Sequence, residues 1–296
     1  MTIASSGPLT LQDIANEFGG ATPHSLNEYY RGGANVPVHV NTVGIPASGA
    51  ISIGDFYGKA KRVAIALVLS ADTNNYDVFA NRGANYAAGY TDLTLTINSG
   101  ITVGSASTAS YAMSVNGFTS GDTVSIVNNG TIVGAGGAGG RGAIASSATA
   151  AVAGSVAGPA LYANFATSVT NNGTIAAGGG GGGGGSGRSY LSGKTTVYQN
   201  GGGGGGGAGV VGGVGAVGGN TGGTGTATTG GAGGTALNSA GAGGAGGARG
   251  TAGSSGTTGS TTVRGGAAGG GATSNYITGN SFVTWVATGT RLGNVA

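Results

Sequence analysis

Eight consecutive glycines, Gly178–Gly185, follow directly on a strand-like run and an Asn-Gly pair in the stretch VTNNGTIAAGGGGGGGGSGRSY, Val169 to Tyr190. Such a run has no side chains to bury, and each glycine costs roughly 0.5–1 kcal/mol more than alanine to order. Whatever holds it in place cannot be a hydrophobic interior. The same difficulty extends over the whole chain, because glycine supplies 72 of 296 residues and only 6% are aromatic.

Three conformations compete for such runs. A collagen-like helix fails, since no strict every-third-glycine period exists and the chain has only five prolines to stiffen it. A flexible linker is the ordinary reading of glycine-rich sequence. The third is a bundle of polyproline-II-like rods of glycine, with three residues per turn and a rise of ~3.1 Å, close enough for neighbouring backbones to hydrogen-bond. Weak Cα–H···O contacts would add to it. The sequence favours the bundle. A linker needs one glycine stretch, whereas further runs cover Gly201–Gly219, Gly230–Gly250 and Gly265–Gly271, with apolar segments such as AGPALYANFATSV and GNSFVTWVATG between runs. Eight residues at that rise span about 25 Å, a suitable bundle length. Internal repetition agrees: VNNGTIVGAGGAGGRG from Val127 returns 43 residues later as TNNGTIAAGGGGGGGG, with Asn128 and Asn171 in register.

Residues 1–60 have a different grammar. TLQDIANEFGG, SLNEYYRGG and SIGDFYG each start with Ser or Thr, carry Asp or Glu three residues on, and stop at Gly19, Gly32 or Gly58. That spacing predicts three short capped helices. Their apolar positions, among them Ile14, Phe18, Tyr29 and Phe56, look too few for a robust independent core, so the segment is expected to dock on something larger. From residue 61 to 133, RVAIALVLS, DLTLTINSGITVGS and DTVSIVNNGTIV alternate and are rich in β-branched residues, which predicts a small β-sheet or sandwich punctuated by glycine and Asn-Gly turns. The expected organisation is a helical segment 1–60, a β-rich domain 61–133, a glycine bundle 134–272 and a closing strand in 273–296. The fold class is therefore mainly β with a polyglycine-II helix bundle and a small N-terminal segment of short α-helices.

Chemistry is sparse. All eight acidic residues lie in the first 122 positions, and only six cations, with no acid, follow from residue 123 onward. The cations are too scattered for a nucleic-acid surface. Paired-carboxylate hydrolysis would have to reside wholly in the first 122 residues. GRSYLSGKTT imitates a phosphate-binding loop but has five residues between Gly187 and Gly193 where that motif requires four. His24 and His39 lack metal-binding spacing and are read as turn or surface residues, and without cysteine no thiolate site exists. The two Asn-Gly-Thr triplets match the glycosylation sequon but are read as turns. No enzymatic activity, cofactor or metal is expected. The start of the sequence lacks an apolar leader, and VAIALVL is far shorter than a membrane span, so synthesis in the cytoplasm is expected.

What remains are the connections between glycine runs, where rods running up and down would place variable loops. SGRSYLSGKTTVYQN offers Arg188, Tyr190, Leu191, Lys194 and Tyr198, a mixture of aromatic, aliphatic and cationic groups suited to a binding surface. NYITGNSFVTWVATGTR, with Tyr276, Phe282 and Trp285, is read first as a strand completing the core and second as a contact surface.

The glycine motifs NNGTIVGAGGAGGRG, NNGTIAAGGGGGGGG and NGGGGGGGAG, over residues 120–272, resemble those of the distal tail-fibre adhesins, the receptor-recognising proteins, of T-even-like bacteriophages. That resemblance implies a polyglycine-II sandwich whose loops contact a host outer-membrane protein or glycan, in a protein of the virion tail. The segment LQDIANEFGG…SLNEYYRGG…IPASGAISIGDFYG is similar to one in many phage virion proteins, which implies that residues 1–60 attach the chain to a tail fibre or other virion protein. A structural virion component of the tail tip, baseplate, collar or head stays open as the alternative. An ice-binding or silk-like protein is disfavoured by the irregular aromatic loops.

Overall fold

The computed structural model describes residues 2–260 and 262–296; Met1 and Thr261, the first residue of the TTVR segment, lie outside the described residues. The chain divides into two compact units. One comprises Met1–Leu67, Phe79–Thr94 and Gly117–Val124, the other Val68–Val78, Leu95–Asn116 and Ser125–Ala296.

In the first unit, only one of the three expected helices is α-helical. Helix α1 (Leu11–Phe18) starts at Thr10, whose hydroxyl accepts the Asp13 N–H while the Asp13 carboxylate accepts the Thr10 N–H at 2.9 Å, and it ends at Gly19 with φ +85°. The other two are single 3-10 turns, Leu26–Glu28 and Ile53–Phe56. Between Ser52 and Gly58 there are too few residues to propagate an α-helix. The apolar positions of this segment do meet in a buried cluster. Ile3, Val36 and Ile45, from the extended connections, join Ile14, Phe18, Tyr29 and Phe56 in one buried cluster. Phe56 lies at its centre, edge-on to Phe18 at 5.9 Å and to Tyr29 at 6.2 Å. Replacing Phe56 with alanine should therefore cost about 3–5 kcal/mol, read as a fall in the unfolding midpoint of this unit.

Both histidines have structural tasks. His39 is buried; its Nδ1 accepts the Asn41 N–H at 3.2 Å and its Nε2 donates to the Lys61 carbonyl at 2.8 Å. His24 Nδ1 lies 3.3 Å from the Tyr29 hydroxyl.

The β-rich region is organised in turns. The first holds β1 (Val63–Leu69), β2 (Thr73–Asn74) and β3 (Tyr76–Asp77), the second β4 (Thr91–Ile97), β5 (Thr102–Gly104) and β6 (Met113–Val115). The third holds β7 (Thr123–Asn128), β8 (Thr131–Val133) and β9 (Leu161–Ala163). The fourth holds β10 (Thr167–Asn171) and β11 (Thr174–Ala176), then leaves for β12 (Gly187–Ser192), β13 (Thr195–Gln199) and β14 (Val263–Arg264) before returning at β15 (Asn275–Thr278). The fifth holds β16 (Val283–Ala287), β17 (Thr290–Leu292) and β18 (Asn294–Val295). Three five-stranded sheets result, in the orders β1-β4-β7-β10-β16, β17-β11-β8-β5-β2 and β18-β15-β9-β6-β3. Each turn contributes one strand to each sheet, and paired strands such as β5 with β8 and β6 with β9 run parallel. This is the topology of a three-faced parallel coil.

Alternation in the sequence is thus genuine, but its use differs from a hairpin sheet. Corners such as Asn75, at φ +53°, turn the chain onto the next face, and each strand pairs with the one a full turn away. Inside the second unit, Val103, Ile132 and Ile175 stack in register on one face, and Met113, Leu161 and Ile277 on another. The next position in the first column is Arg291, whose guanidinium lies 4.8 Å from the Trp285 ring centre and 5.6 Å from that of Tyr276. Tyr276 is buried and Phe282 exposed, so the C-terminal aromatic stretch closes the coil with only some of its rings.

The 43-residue repeat is one turn of this coil. Asn128 and Asn171 are both buried; the Asn128 amide donates to the Asn171 side-chain oxygen at 2.8 Å, and the Asn171 amide donates to the Thr288 carbonyl at 2.8 Å. Changing Asn171 to alanine would leave Asn128 without this acceptor and the Thr288 carbonyl without this donor. The expected loss is about 1–3 kcal/mol, seen as a shift in the chemical-denaturation midpoint.

The glycine runs leave the coil in two excursions, between β8 and β9 and between β11 and β15. They are ordered by backbone pairing, not loose. The N–H groups of Gly178, Gly181 and Gly184 donate to the carbonyls of Gly158, Ser155 and Val152 at 3.0–3.1 Å. Those of Gly179, Gly182 and Gly185 donate to Ala208, Gly205 and Gly202, and those of Gly180, Gly183 and Ser186 to Thr251, Ser254 and Thr257. Successive amides thus point to three different neighbours and return to the first every third residue. Carbonyls of the same run accept from Gly137 and Gly140, from Gly247 and Gly244, and from Gly271 and Ala268. Six segments consequently surround this thread. A methyl group would have nowhere to go: a Cβ on Gly182 would lie 2.0 Å from the Gly244 carbonyl oxygen.

Candidate functional site

The order of these bonds reveals direction. Partner numbers rise together between 137–143 and 179–185 and between 180–186 and 251–257, but run oppositely between 178–184 and 158–152 and between 179–185 and 208–202. The threads therefore alternate up and down, and their connections collect at two ends. At one end the connections around residues 144–149, 187–199, 220, 235–240, 258–260 and 262–264 meet. Ala145 N–H donates to Asn200 Oδ1 at 2.9 Å, Gly259 N–H to Ser186 Oγ at 2.7 Å, and Asn220 Nδ2 to Thr235 Oγ1 at 2.7 Å.

The largest of these connections is the predicted binding segment, which is a β-hairpin. β12 and β13 pair antiparallel, with Ser192 opposite Thr195, leaving Gly193 and Lys194 as a two-residue turn. Gly193 has φ +64°, which the first central position of a tight hairpin turn requires. A strand follows Lys194 where a phosphate-binding loop needs a helix, so the resemblance to that motif ends there.

The hairpin divides the five predicted residues by strand alternation. Arg188 and Tyr190 share one face; the Arg188 guanidinium lies 4.7 Å from the Tyr190 ring centre and donates to the Asn238 carbonyl. Leu191 lies on the other face with Ser189, whose cross-strand partner is Tyr198. Leu191 is 73% exposed and Tyr198 45% exposed. Lys194 is exposed at the tip. Leu191 and Tyr190 help line an open depression of about 440 Å³ with Ser189, Thr196 and Thr262.

The sequence reading passed over several residues at this end. Arg264, on β14, places its guanidinium 5.5 Å from the Tyr198 ring centre and donates to the Ala145 carbonyl at 3.3 Å. Asn238 and Ser239 adopt positive φ of 41° and 68° in a tight connection. Their only sequence signal is the Leu-Asn-Ser interruption of a glycine tract, legible once the ends of the threads are known. Among the described residues no cluster of acidic, histidine or cysteine side chains is arranged to hold a metal, and no helix is long and apolar enough to cross a membrane.

Sequence comparison agrees with the glycine threads and their loops: the profile of the family described as phage tail fibre adhesin Gp38 matches residues 64–296. The chain belongs to the Gp38 tail fibre adhesin family. The family match takes in the coil, both glycine excursions and the hairpin, and begins after the helical segment. A crystal structure of the gp37-gp38 adhesin tip complex of the bacteriophage S16 long tail fibre is similar at 20% identity and a TM-score of 0.47, covering 99% of this chain and 100% of that one. No curated protein matches significantly. Membership of the Gp38 family makes this a phage tail fibre adhesin and a component of the virion tail.

Proposed function

We propose that this adhesin works at the tip of a tail fibre, binding a host outer-membrane receptor through the loop end of its glycine bundle. The observation that carries the reading is the convergence of the 144–149, 187–199, 220, 235–240, 258–260 and 262–264 connections at one end of the threads. A backbone-bonded scaffold holds these loops in place while their side chains remain free to vary. The threefold recurrence of donor direction, with six neighbouring segments around Gly178–Ser186, supports the polyglycine-II conformation for those threads. Arg188, Tyr190, Leu191, Lys194 and Tyr198 are the proposed contact residues, and the exposed Leu191 and Tyr198 are its apolar anchors. The receptor is a surface protein or glycan, and binding is non-catalytic.

Residues 1–60 form the attachment segment to the fibre or another virion protein, the β-rich domain 61–133 is the spacer, and residues 134–272 carry the displaying glycine bundle. Synthesis takes place in the host cytoplasm. Purified protein added to host cells should bind saturably and slow adsorption of the phage that carries it. Absence of saturable binding would instead favour a structural role in the virion.

A further inference from the structure

At the other end of the threads, the returning connections meet the coil within the second unit. Asp72 and Asn74 from the first turn, Thr102 from the second, and Val210, Ala227 and Arg249 from three returning connections line one cavity of about 300 Å³. Val210 packs tightly here: a Cβ on Gly104 would lie 2.7 Å from its Cγ1.

The two charged residues are held apart. Asp72 is fixed through Oδ1, which accepts the Thr102 N–H at 2.8 Å, and among the described residues its Oδ2 accepts no hydrogen bond. Arg249 is fixed through Nε, which donates to the Ala227 carbonyl at 2.6 Å, and among the described residues its terminal nitrogens donate no hydrogen bond. Among the described residues the salt bridge is Arg62 with Asp92, and none joins Asp72 to Arg249. Burial depresses the Arg249 pKa, so its charge sits partly out of water without an anion to offset it. A cavity that presents opposite charges, each held by one backbone bond and not by the other, complements a ligand bearing both signs. No aromatic ring lines it for stacking a sugar, and its volume sits at the small end of ligand pockets.

We propose that this cavity binds a small zwitterion of the phosphoethanolamine type, with its ammonium against Asp72 and its oxyanion against Arg249. The guanidinium presents paired N–H donors to the oxyanion, and the Asp72 Oδ2 takes the ammonium. Thr73 and Asn74 add neutral polar groups to the lining. The site lies at the end of the threads away from the hairpin and does not depend on what the hairpin binds.

The test uses the full chain and O-phosphoethanolamine, ethanolamine and inorganic phosphate as separate probes, followed through the backbone amide signals of Thr102 and Ala227. O-phosphoethanolamine should shift both signals saturably and bind at least about tenfold more tightly than either half. Asp72→Asn, which keeps the acceptor for Thr102, and Arg249→Gln should each bring that preference down to the level of the half ligands. No saturable shift, or phosphate binding as tightly as the zwitterion, overturns the proposal. The comparison of probes on the unmodified chain decides it even where a variant fails to fold. Vesicles of phosphatidylethanolamine identify the source: co-sedimentation points to a lipid headgroup, and saturable binding of the free compound without co-sedimentation points to a soluble one, both supporting the site.

Discussion

Gly182→Ala should prevent folding of the glycine bundle, whereas Gly269→Ala should leave it intact. The two changes are chemically identical. At Gly182 the new methyl carbon would lie 2.0 Å from the Gly244 carbonyl oxygen and 2.6 Å from its carbon. That oxygen already accepts the Gly205 N–H at 2.9 Å, and Gly182 itself donates to Gly205, so relief of the clash must break paired backbone on more than one thread. No flexible side chain stands in the way to rotate aside. The cost should exceed about 4–5 kcal/mol, the range reserved for the most disruptive single substitutions. At Gly269 nothing lies within 4 Å of the added methyl. There the loss of unfolded-state freedom should stabilise by about 0.4–1 kcal/mol. Thermal unfolding of the two variants separates these outcomes, and equal midpoints would show that close backbone approach is not what holds the bundle together.

Replacing Leu191 and Tyr198 together with alanine should reduce adsorption to host cells by more than about tenfold while leaving the unfolding midpoint unchanged. Both side chains project from the same hairpin face, 73% and 45% exposed, and neither contributes to the buried core. Few residues usually dominate an interface, and losing a well-placed aromatic or aliphatic anchor costs about 2 kcal/mol or more. The hairpin should survive, because its register rests on backbone pairing and on the Gly193 turn. Arg188→Ala tests a different effect. Arg188 ties the hairpin to the Asn238 connection, so its removal should loosen the loop end and affect binding through position. The measurement is the adsorption rate of phage carrying each variant, paired with thermal unfolding. Normal adsorption by the Leu191/Tyr198 double variant would remove this face from the contact surface.

Much of this arrangement was legible from particular residues. Thr10 and Asp13 announced the capping box that starts α1, and Gly19 its stop. The second and third helix signals marked the starts, at Ser25 and Ser52, but these turns end at Tyr29 and Tyr57, before Gly32 and Gly58 are reached. The 43-residue recurrence of Asn-Asn-Gly-Thr identified residues that belong together, yet their contact became visible only when Asn128 and Asn171 stacked one turn apart. In the hairpin, residue types indicated a surface, but strand alternation decided that Arg188 and Tyr190 face one way and Leu191 and Tyr198 the other. Arg264 and Asn238 were invisible, since each is distant in sequence from the residue it touches.

Residue types and spacing ruled out apolar burial as the organiser of the glycine-rich part and favoured closely packed backbones over a loose linker. Strands within residues 61–133 and the glycine runs were also legible, because period, turn residues and side-chain absence are local properties, whereas the coil strands between residues 161 and 176 lay inside the stretch read as bundle. Tertiary structure alone decided that the strands coil in parallel around three faces, which thread lies beside which, and which connections share an end. Backbone N–H and C=O groups are the same on every residue, so a glycine run carries the capacity to pair but not the identity of its partner. That identity comes from the coil, which fixes where each excursion leaves and returns, and from connection lengths that set the order in which the threads come back.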